Sequence, residues 1–386
     1  MSRIYLDHNA TTPLVPAALD RLTAVARDTW GNASSVHHFG QQAKAALDDA
    51  RAQVAALLGA EPPEIVFTAG GTEGDNAAIR GALEALEASG RRHLIVSAIE
   101  HEAVLQTAKS LSRRGFEVTV LPVGGSGVAD PEALRGLMTD RTALVSVMHA
   151  NNEIGTVQPV AALAAVAHAA GALFHTDAVQ TAGKVPVDVA ALGVDLLSIS
   201  AHKFGGPKGA GALWIRRGVR VLPFVTGGRQ ERNRRAGTEN VPALAGMGAA
   251  AEHARHHAAA AAPRVAALRD RLEAGVLAGV PGTAVNGERA ARVPNTTNIS
   301  FDRVESESLL IALDLEGIAV SSGSACSSGT LEPSHVLKAM GFPHHRTLNS
   351  LRFSLGSATT EAEIDHVVAV LPGLVEKLRK LAPARR

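Results

Sequence analysis

Residues 143–177 read ALVSVMHANNEIGTVQPVAALAAVAHAAGALFHTD, and this stretch predicts a strand, a helix and a second strand. ALVSVMH and ALFHTD are short apolar runs that end in polar residues. PVAALAAVAHAAG, between them, repeats apolar residues at the i, i+3, i+4 spacing of a helix. A helix that joins two strands in this way makes a right-handed crossover, so we expect the two strands to lie parallel in one sheet.

The same alternation of apolar runs and Ala-rich helical patterns continues on both sides of this unit. The further candidate strands are EIVFTA (64–69), HLIVSA (93–98), EVTVLPV (117–123), DLLSIS (195–200) and GALWIR (211–216). Strands that are apolar along their whole length are typical of a sheet covered by helices on both faces. We therefore predict an α/β fold, with a large domain at residues 15–255 that contains a mostly parallel seven-stranded sheet flanked by helices.

The alternation of predicted strands and helices changes after about residue 240. A long Ala-rich helix is predicted over 242–278, with Pro263 marking a break or a new helix start. The elements that follow are TTNISF (296–301) as a strand, ESLLIALDLEG (307–317) as a helix, SLRFSL (350–355) as a strand and a last helix from Glu361. This order indicates an α+β unit, and we predict a smaller domain formed by residues 1–14 and 256–386.

The composition argues against several classes of protein. The formal net charge of the 386 residues is +1 and aromatic residues make up 3%, which disfavours a direct nucleic-acid or membrane partner. No apolar run approaches the roughly 18 residues of a membrane helix, and the N-terminus lacks a signal-peptide pattern. A single cysteine, Cys326, excludes a disulfide framework within the chain and favours a cytoplasmic location. The 16 histidines show no metal-site spacing, so no metal is expected.

Polar residues follow five of the predicted strands at the point where each strand ends. They are the turn GGTEGDN (70–76), His101 in IEHEAV, Asn151 and Asn152 in ANNEIG, Asp177 and Gln180 in TDAVQ, and His202 and Lys203 in AHKFGGPKG. Each of them alone has an ordinary explanation as a helix cap, a loop amide or a solvated lysine. Because α/β proteins bind ligands beyond the carboxyl ends of their strands, the set together indicates a site at this edge of the sheet.

The chemistry of the set favours pyridoxal phosphate as a cofactor. Glycines and Thr72 at a predicted helix start suit a phosphate group. Lys203 could form a Schiff base with the cofactor aldehyde, and a carboxylate such as Asp177 would keep the ring nitrogen protonated. A dinucleotide is less favoured because no G-x-G-x-x-G follows the first strand of the sheet.

Ten motifs, in the order of the chain, resemble those of the cysteine desulfurases of the NifS/IscS type, in the class V branch of fold-type I pyridoxal-phosphate enzymes. They are LDHNATTP (6–13), GNASSVHHFG (31–40), FTAGGTEGDN (67–76), EHEAVL (100–105), HANNEIG (149–155), HTDAVQ (175–180), SAHKFGGPKG (200–209), GGRQERNRRAGTEN (227–240), SSGSACSSG (321–329) and LRFSLG (351–356). The resemblance covers almost the whole chain, and the segment around Cys326 is its most specific part. It implies the PLP-dependent transferase fold type I, with pyridoxal 5'-phosphate as cofactor.

The resemblance also implies roles for single residues. Four residues match contacts of the cofactor ring. Lys203 matches the Schiff-base lysine, and Asp177 matches the partner of the ring nitrogen. His101 matches the residue stacked on the ring, and Gln180 the residue bonded to the ring oxygen. Those that match the phosphate ligands are Thr72, Ser200, His202 and Thr238, the last being supplied by the neighbouring subunit of a homodimer with shared sites. Gly71 and Asn152 complete the cofactor-binding set, and Asn152 and Arg352 match the residues that hold the substrate carboxylate.

The resemblance gives Cys326 the role of nucleophile, on a loop at about 321–333. The substrate L-cysteine displaces Lys203 from the cofactor, and Lys203 then acts as base at Cα. The Cys326 thiolate attacks the substrate sulfur and leaves L-alanine and an enzyme persulfide. A sulfur-acceptor protein then receives the sulfur for iron–sulfur cluster assembly, tRNA thiolation or DNA phosphorothioation.

Two alternative functions stay open at this point. One is another class V enzyme of the same fold, such as a selenocysteine lyase or an aminotransferase. The other is a mainly non-catalytic platform that binds sulfur-acceptor proteins.

Overall fold

The computed structural model describes residues 3–287, 290–322 and 333–381 of the chain. Its strands are β1 (Ile4–Tyr5), β2 (Ile65–Thr68), β3 (His93–Ser97), β4 (Glu117–Leu121), β5 (Thr142–Ser146), β6 (Leu173–Asp177), β7 (Leu196–Ser200), β8 (Gly211–Ile215), β9 (Thr283–Val285), β10 (Thr296–Phe301), β11 (Ile318–Ala319) and β12 (Ser350–Ser354). Its helices are α1 (Pro16–Asp28), α2 (His38–Leu58), α3 (Gly71–Leu86), α4 (Glu102–Ser112), α5 (Pro131–Leu137), α6 (Val160–Ala169), α7 (Val189–Leu192), α8 (Gln230–Asn233), α9 (Val241–Gly279), α10 (Ser306–Leu315), α11 (His335–Ala339), α12 (His344–Leu348) and α13 (Glu361–Leu381).

Seven strands form the central sheet, in the order β2-β8-β7-β6-β5-β3-β4. β8 runs antiparallel to both of its neighbours, and the other pairs are parallel. Alternate residues of the strands point to opposite faces, where α2, α6 and α9 pack on one side and α3 and α4 on the other. The α/β fold with a mostly parallel seven-stranded sheet flanked by helices is therefore confirmed.

Helix α9 runs without interruption over 39 residues and contains Pro263 in its interior. The break expected at this proline was therefore wrong. A proline removes one N–H donor from the helix, and packing on both sides of it outweighs that loss. Leu244 and Met247 lie in the core of the central sheet, whereas Leu268 and Leu272 lie in a second core.

The second core belongs to the smaller unit predicted from the C-terminal third of the chain. Its sheet has the antiparallel order β12-β10-β9, and β1 pairs in parallel with β11 beside it. Ile4 and Leu6 are buried in the same cluster as residues of α10 and α13. The N-terminal segment thus packs with the C-terminal elements, while the exact domain boundaries stay a prediction.

Two features that would indicate other functions are absent from the described ranges. No helix among these residues is both long and apolar enough to span a bilayer. Nor do the described side chains include a group of three or more His, Cys, Asp or Glu residues placed to hold a metal ion.

Candidate active site

The turn between β2 and α3 forms a cradle for an anion. Helix α3 begins at Gly71, and a Cβ at that position would lie 2.8 Å from Val179 Cγ2, so the close approach requires glycine. Thr72, Ser200 and His202 line the same cleft, of about 880 Å³. The predicted phosphate ligands of this chain therefore meet at the N-terminus of a 16-residue helix, where free backbone N–H groups favour a phosphate.

His202 contributes to this cleft as a neutral imidazole. Burial, followed by the charge of Lys203, lowers the pKa of His202 to about 4. Its Nδ1 lies 3.2 Å from Thr11 Oγ1. A neutral ring whose Nδ1 is engaged in this way leaves Nε2 for a second hydrogen bond.

Lys203 follows β7 and is held by the N-terminal segment. Its Nζ donates to the carbonyl oxygens of Asn9 and Ala10, at 2.5 and 2.8 Å. Burial lowers the pKa of Lys203 to about 8, and the nearby Arg352 adds to this shift. Part of the Lys203 population is therefore a free amine near neutral pH, which is the form that attacks an aldehyde.

Asp177 is the last residue of β6 and is 6% exposed. One of its carboxylate oxygens, Oδ1, accepts the backbone N–H of Val179 at 2.8 Å. Burial raises the pKa of Asp177, while the charges of His101 and Lys203 and the Val179 N–H oppose that rise. These neighbours favour the ionised form that a pyridinium nitrogen would pair with.

Two further buried carboxyl groups influence Asp177. Burial raises the pKa of Glu100 to about 8 and raises the pKa of Asp75 well above its usual range, with Asp177 adding to both shifts. Glu100 is thus mostly an uncharged acid near neutral pH. Of the three carboxyl groups, Asp177 is the one whose ionised form is favoured by His101 and Lys203.

His101 lies at the start of α4, at the edge of the sheet. Its Nδ1 accepts the backbone N–H of Ala103 at 3.1 Å and so caps the helix. The side chain is otherwise exposed. A ring fixed at one edge and open on its faces can stack on a flat cofactor, which is the role that the resemblance implies for His101.

Gln180 and Lys203 meet at one backbone atom. The carbonyl oxygen of Asn9 accepts Gln180 Nε2 at 3.0 Å as well as Lys203 Nζ. Gln180 Oε1 accepts Lys184 Nζ at 2.7 Å. The predicted Schiff-base lysine and the predicted ligand of the ring oxygen are therefore brought together.

Arg352 and Asn152 also lie in contact, on the side of the smaller unit. Arg352, in β12, donates from Nη1 to the Asn152 carbonyl at 3.0 Å and from Nη2 to Asp7 Oδ1 at 2.6 Å. Its Nε is buried and has no acceptor among the described residues. This unused N–H lies next to Nη2. Together the two nitrogens form the kind of donor pair that binds a carboxylate side-on.

One predicted residue of the described ranges is not brought into this group. Thr238 is exposed, on a segment tied to α3 by an ion pair between Arg235 Nε and Glu73 Oε1 at 2.8 Å. Cys326 lies outside the described residues.

Three residues of the site were given no role from the sequence. Asp7 and Asn9 stand in the LDHNATTP motif, and Lys184 follows HTDAVQ by four residues. The motif itself was the available signal. Their roles depend on contacts with residues more than 140 positions away, which no local pattern reveals.

Comparison with known proteins agrees with this geometry. The model of the aminotransferase class-V family matches residues 4–367. A cysteine desulfurase of Trichormus azollae is 51% identical over 383 residues, which cover 99% of this chain and 95% of that protein. The cysteine desulfurase IscS of Dictyoglomus turgidum is 47% identical, over 99% of this chain and 97% of that protein. A solved structure of a NifS-like protein superposes with a TM-score of 0.91 at 38% identity, over 97% of this chain and all of that chain.

Proposed function

Because this chain belongs to the aminotransferase class-V family and, within it, to the cysteine desulfurases, we propose that it removes the sulfur of L-cysteine and releases L-alanine. Pyridoxal 5'-phosphate is the cofactor, and Cys326 carries the sulfur away as a persulfide. The observation that carries this proposal is the half-buried Lys203, with a pKa lowered to about 8, at the sheet edge that also holds Asp177 and the anion cradle.

The residues of this edge fit the cofactor in charge and in shape. Gly71, Thr72, Ser200 and His202 would hold the phosphate group, for which the glycine at the helix start leaves room. Asp177 supplies the negative charge for the ring nitrogen. Bound pyridoxal phosphate supplies an electron-accepting ring that stabilises negative charge at the substrate Cα.

The remaining cofactor contacts come from residues around the ring. Lys203 binds the aldehyde carbon, and His101 stacks on the ring face. Gln180 donates to the ring oxygen, since its Oε1 is already taken by Lys184. Asn152 contributes to cofactor and substrate binding together.

The substrate is held by its carboxylate and loses a proton from Cα. Arg352 would bind the carboxylate through Nε, which has no acceptor among the described residues, and through the second N–H of Nη2. Nη1 donates to Asn152, and Nη2 already donates once to Asp7. Lys203, as a free amine, accepts the Cα proton. Because the pKa of Lys203 is lowered to about 8, part of this amine is unprotonated near neutral pH.

Sulfur transfer requires the thiolate of Cys326. The thiolate attacks the substrate sulfur, and the Cβ–S bond breaks with its electron pair going to Cβ. Cβ then gains a proton and Cα regains the proton that Lys203 had accepted, so that the products are L-alanine and a Cys326 persulfide. A thiol of an acceptor protein takes the outer sulfur and regenerates Cys326.

The enzyme acts as a homodimer in this proposal, with Thr238 completing the partner's phosphate site. Thr238 is exposed and is not among the residues that line the cleft of its own chain, which supports this arrangement. The unit of residues 15–255 carries the cofactor, and residues 1–14 with 256–386 form the smaller domain. The lone cysteine favours a reducing cytoplasm.

The acceptor is a protein of iron–sulfur cluster assembly, tRNA thiolation or DNA phosphorothioation. The name of one relative, IscS, belongs to a cysteine desulfurase and does not decide among these. Transfer of labelled persulfide to proteins purified from the source organism identifies the acceptor.

The test is a reaction of the purified protein, loaded with pyridoxal phosphate, with L-cysteine and a thiol reductant. We expect equal amounts of alanine and sulfide, and an absorption band near roughly 400 nm from the lysine-bound cofactor. Lys203→Ala should lose both the band and the activity. Cys326→Ala should keep the band and lose sulfide release.

Two results would contradict the proposal. Sulfide release by Cys326→Ala at the parent rate indicates another class V reaction, such as that of a selenocysteine lyase. A parent protein that forms no such band with pyridoxal phosphate indicates a binding platform for acceptor proteins.

A further inference from the structure

Asn9 is a buried residue whose side chain is fully hydrogen bonded. It lies between β1 and α1 and is 1% exposed. Its Oδ1 accepts Lys184 Nζ at 2.9 Å and Asn295 Nδ2 at 3.0 Å. Its Nδ2 donates to the Asn152 carbonyl at 3.0 Å and to Thr296 Oγ1 at 2.8 Å. Both side-chain atoms of Asn9 are thus fixed from two sides.

Lys184 links Asn9 to Gln180. Its Nζ donates to Asn9 Oδ1 and, at 2.7 Å, to Gln180 Oε1. It lies in the turn after β6, one helical turn beyond Gln180 along the chain. Lys184 is therefore a half-buried donor that joins two amide oxygens.

This contact decides which end of the Gln180 amide faces the cofactor site. An amide has one acceptor end and one donor end, and the two can exchange by rotation. Because Lys184 occupies Oε1, the N–H end must point the other way, where it already reaches the Asn9 carbonyl. Without Lys184 nothing in the contacts of Oε1 would favour this orientation.

We propose that Asn9 and Lys184 are positioning residues that fix the Gln180 amide with its N–H end toward the cofactor's phenolic oxygen. The inference rests on the proposed function, in which Gln180 is the ligand of that oxygen. In pyridoxal phosphate the phenolic oxygen and the aldehyde carbon are neighbours on the ring. An N–H at this oxygen stabilises its negative charge, whereas a carbonyl would repel it.

The charged groups around Lys203 determine the sign of the expected effect. Arg352 lowers the pKa of Lys203, while Asp177 and Asp7 raise it. Burial, and then the charge of Lys203, lowers the pKa of Lys184 well below its usual range. Loss of a donor beside the phenolic oxygen leaves less positive charge there, so the absorption of the loaded protein should change at a higher pH. Loss of any cation at Lys184 would act in the same direction.

The test compares Lys184→Met and Asn9→Ala with the parent protein. In each we measure the dissociation constant of pyridoxal phosphate for the apo-protein and the pH midpoint of the absorption change of the loaded protein. We expect the midpoint to rise by about one pH unit and the dissociation constant to rise about tenfold. Asn9→Ala removes no ionisable side chain, so a shift in this variant reports the orientation of the amide more directly than a shift in Lys184→Met does.

Two further variants separate positioning from a general loss of stability. Lys184→Arg keeps a donor and should restore the parent midpoint. Asn286 is equally buried and bonds to Asn298 and Ser350, away from Lys203 and Gln180. Asn286→Ala should therefore lower the melting temperature and leave the midpoint and the affinity for pyridoxal phosphate unchanged.

A folded Lys184→Met or Asn9→Ala protein with the parent midpoint and affinity would overturn the inference, and the proposed function would stand. Asn9→Ser, which perturbs the core less, decides the question in the same way if the other two variants do not fold. A parent protein that fails to bind pyridoxal phosphate through Lys203 would overturn the proposed function itself.

Discussion

The guanidinium of Arg352 is held by Asp7, with Nη2 and Oδ1 2.6 Å apart. The Arg352 side chain is 5% exposed and that of Asp7 is 22% exposed, so water screens this pair only weakly. Asp7 belongs to the N-terminal segment, whereas Arg352 lies 345 positions later in β12. Asp7, which is distant from Arg352 in the sequence, therefore orients the guanidinium group of Arg352.

Replacing Asp7 should impair substrate binding. In Asp7→Ala, Arg352 loses the partner that orients it, so the guanidinium that binds the carboxylate of L-cysteine becomes mobile. We expect KM for L-cysteine to rise about tenfold, the loss of one charged hydrogen bond, with a smaller change in kcat.

Asp7→Asn is the matched control, because it keeps an oxygen for Nη2 without the charge. Its KM should lie between those of the parent and Asp7→Ala in steady-state assays. A parent-like KM in Asp7→Ala would mean that Asn152 and the surrounding strand suffice to orient Arg352.

The pKa of Lys203 can be read from the rate at which apo-protein captures pyridoxal phosphate. Only the free amine attacks the aldehyde, so the rate should be low at pH 6 and rise with pH. Because burial lowers the pKa of Lys203 to about 8, we expect the midpoint of the rise near pH 8. The measurement is the growth of the cofactor band after mixing, between pH 6 and pH 10.5. A midpoint close to the ordinary lysine value would show that the amine is solvated, and Lys203→Ala supplies the blank.

Most of the central sheet could be predicted because its signals are local. Strands such as β5, β6 and β7 are short runs with apolar residues at or near their start and are almost wholly buried, and helical segments separate them at short intervals. The polar residues that follow the strands could be assigned to one edge for the same reason, since parallel strands share a direction.

The contacts of the N-terminal segment could not be predicted. β1 and β11 have two residues each, too few for a periodic pattern, and their pairing depends on the packing of distant elements. Asn9 resembles any loop asparagine in sequence. Its importance arises because the segment passes between the central sheet and the smaller unit, where both provide donors and acceptors.

The glycine at the start of α3 should be required for cofactor affinity. In Gly71→Ala the new Cβ would lie 2.8 Å from Val179 Cγ2, so the helix start or the loop after β6 must shift. We expect the dissociation constant of pyridoxal phosphate to rise about tenfold, measured by equilibrium titration of apo-protein.

Val179→Ala offers a rescue for this variant, because it removes the atom that the new Cβ would meet. The double variant should regain most of the lost affinity, while Val179→Ala alone should bind like the parent. If Gly71→Ala binds pyridoxal phosphate as tightly as the parent, the cradle adapts and the close approach is not essential.

The segment that carries Thr238 is anchored by a buried ion pair between Arg51 and Glu231. Two bonds, of 2.6 and 2.7 Å, join the side chains, and Glu231 Oε2 also accepts the Phe67 N–H at 2.9 Å. Glu231, Arg232 and Asn233 all have positive φ, a conformation that costs roughly 1–2 kcal/mol per residue. The pair holds this turn in place.

Glu231→Gln should leave the Arg51 charge buried without its counter-ion. We expect a loss of about 3 kcal/mol in the free energy of unfolding, measured by denaturant titration of the apo-protein. The pair Arg51→Met, Glu231→Leu removes both charges and should recover much of that stability, but the turn would lose its anchor. Since that turn leads to Thr238, we expect the double variant to bind pyridoxal phosphate more weakly than the parent despite its recovered stability. Parent-like affinity in this stable variant would show that the turn does not need the ion pair to present Thr238, or that Thr238 does not reach a phosphate.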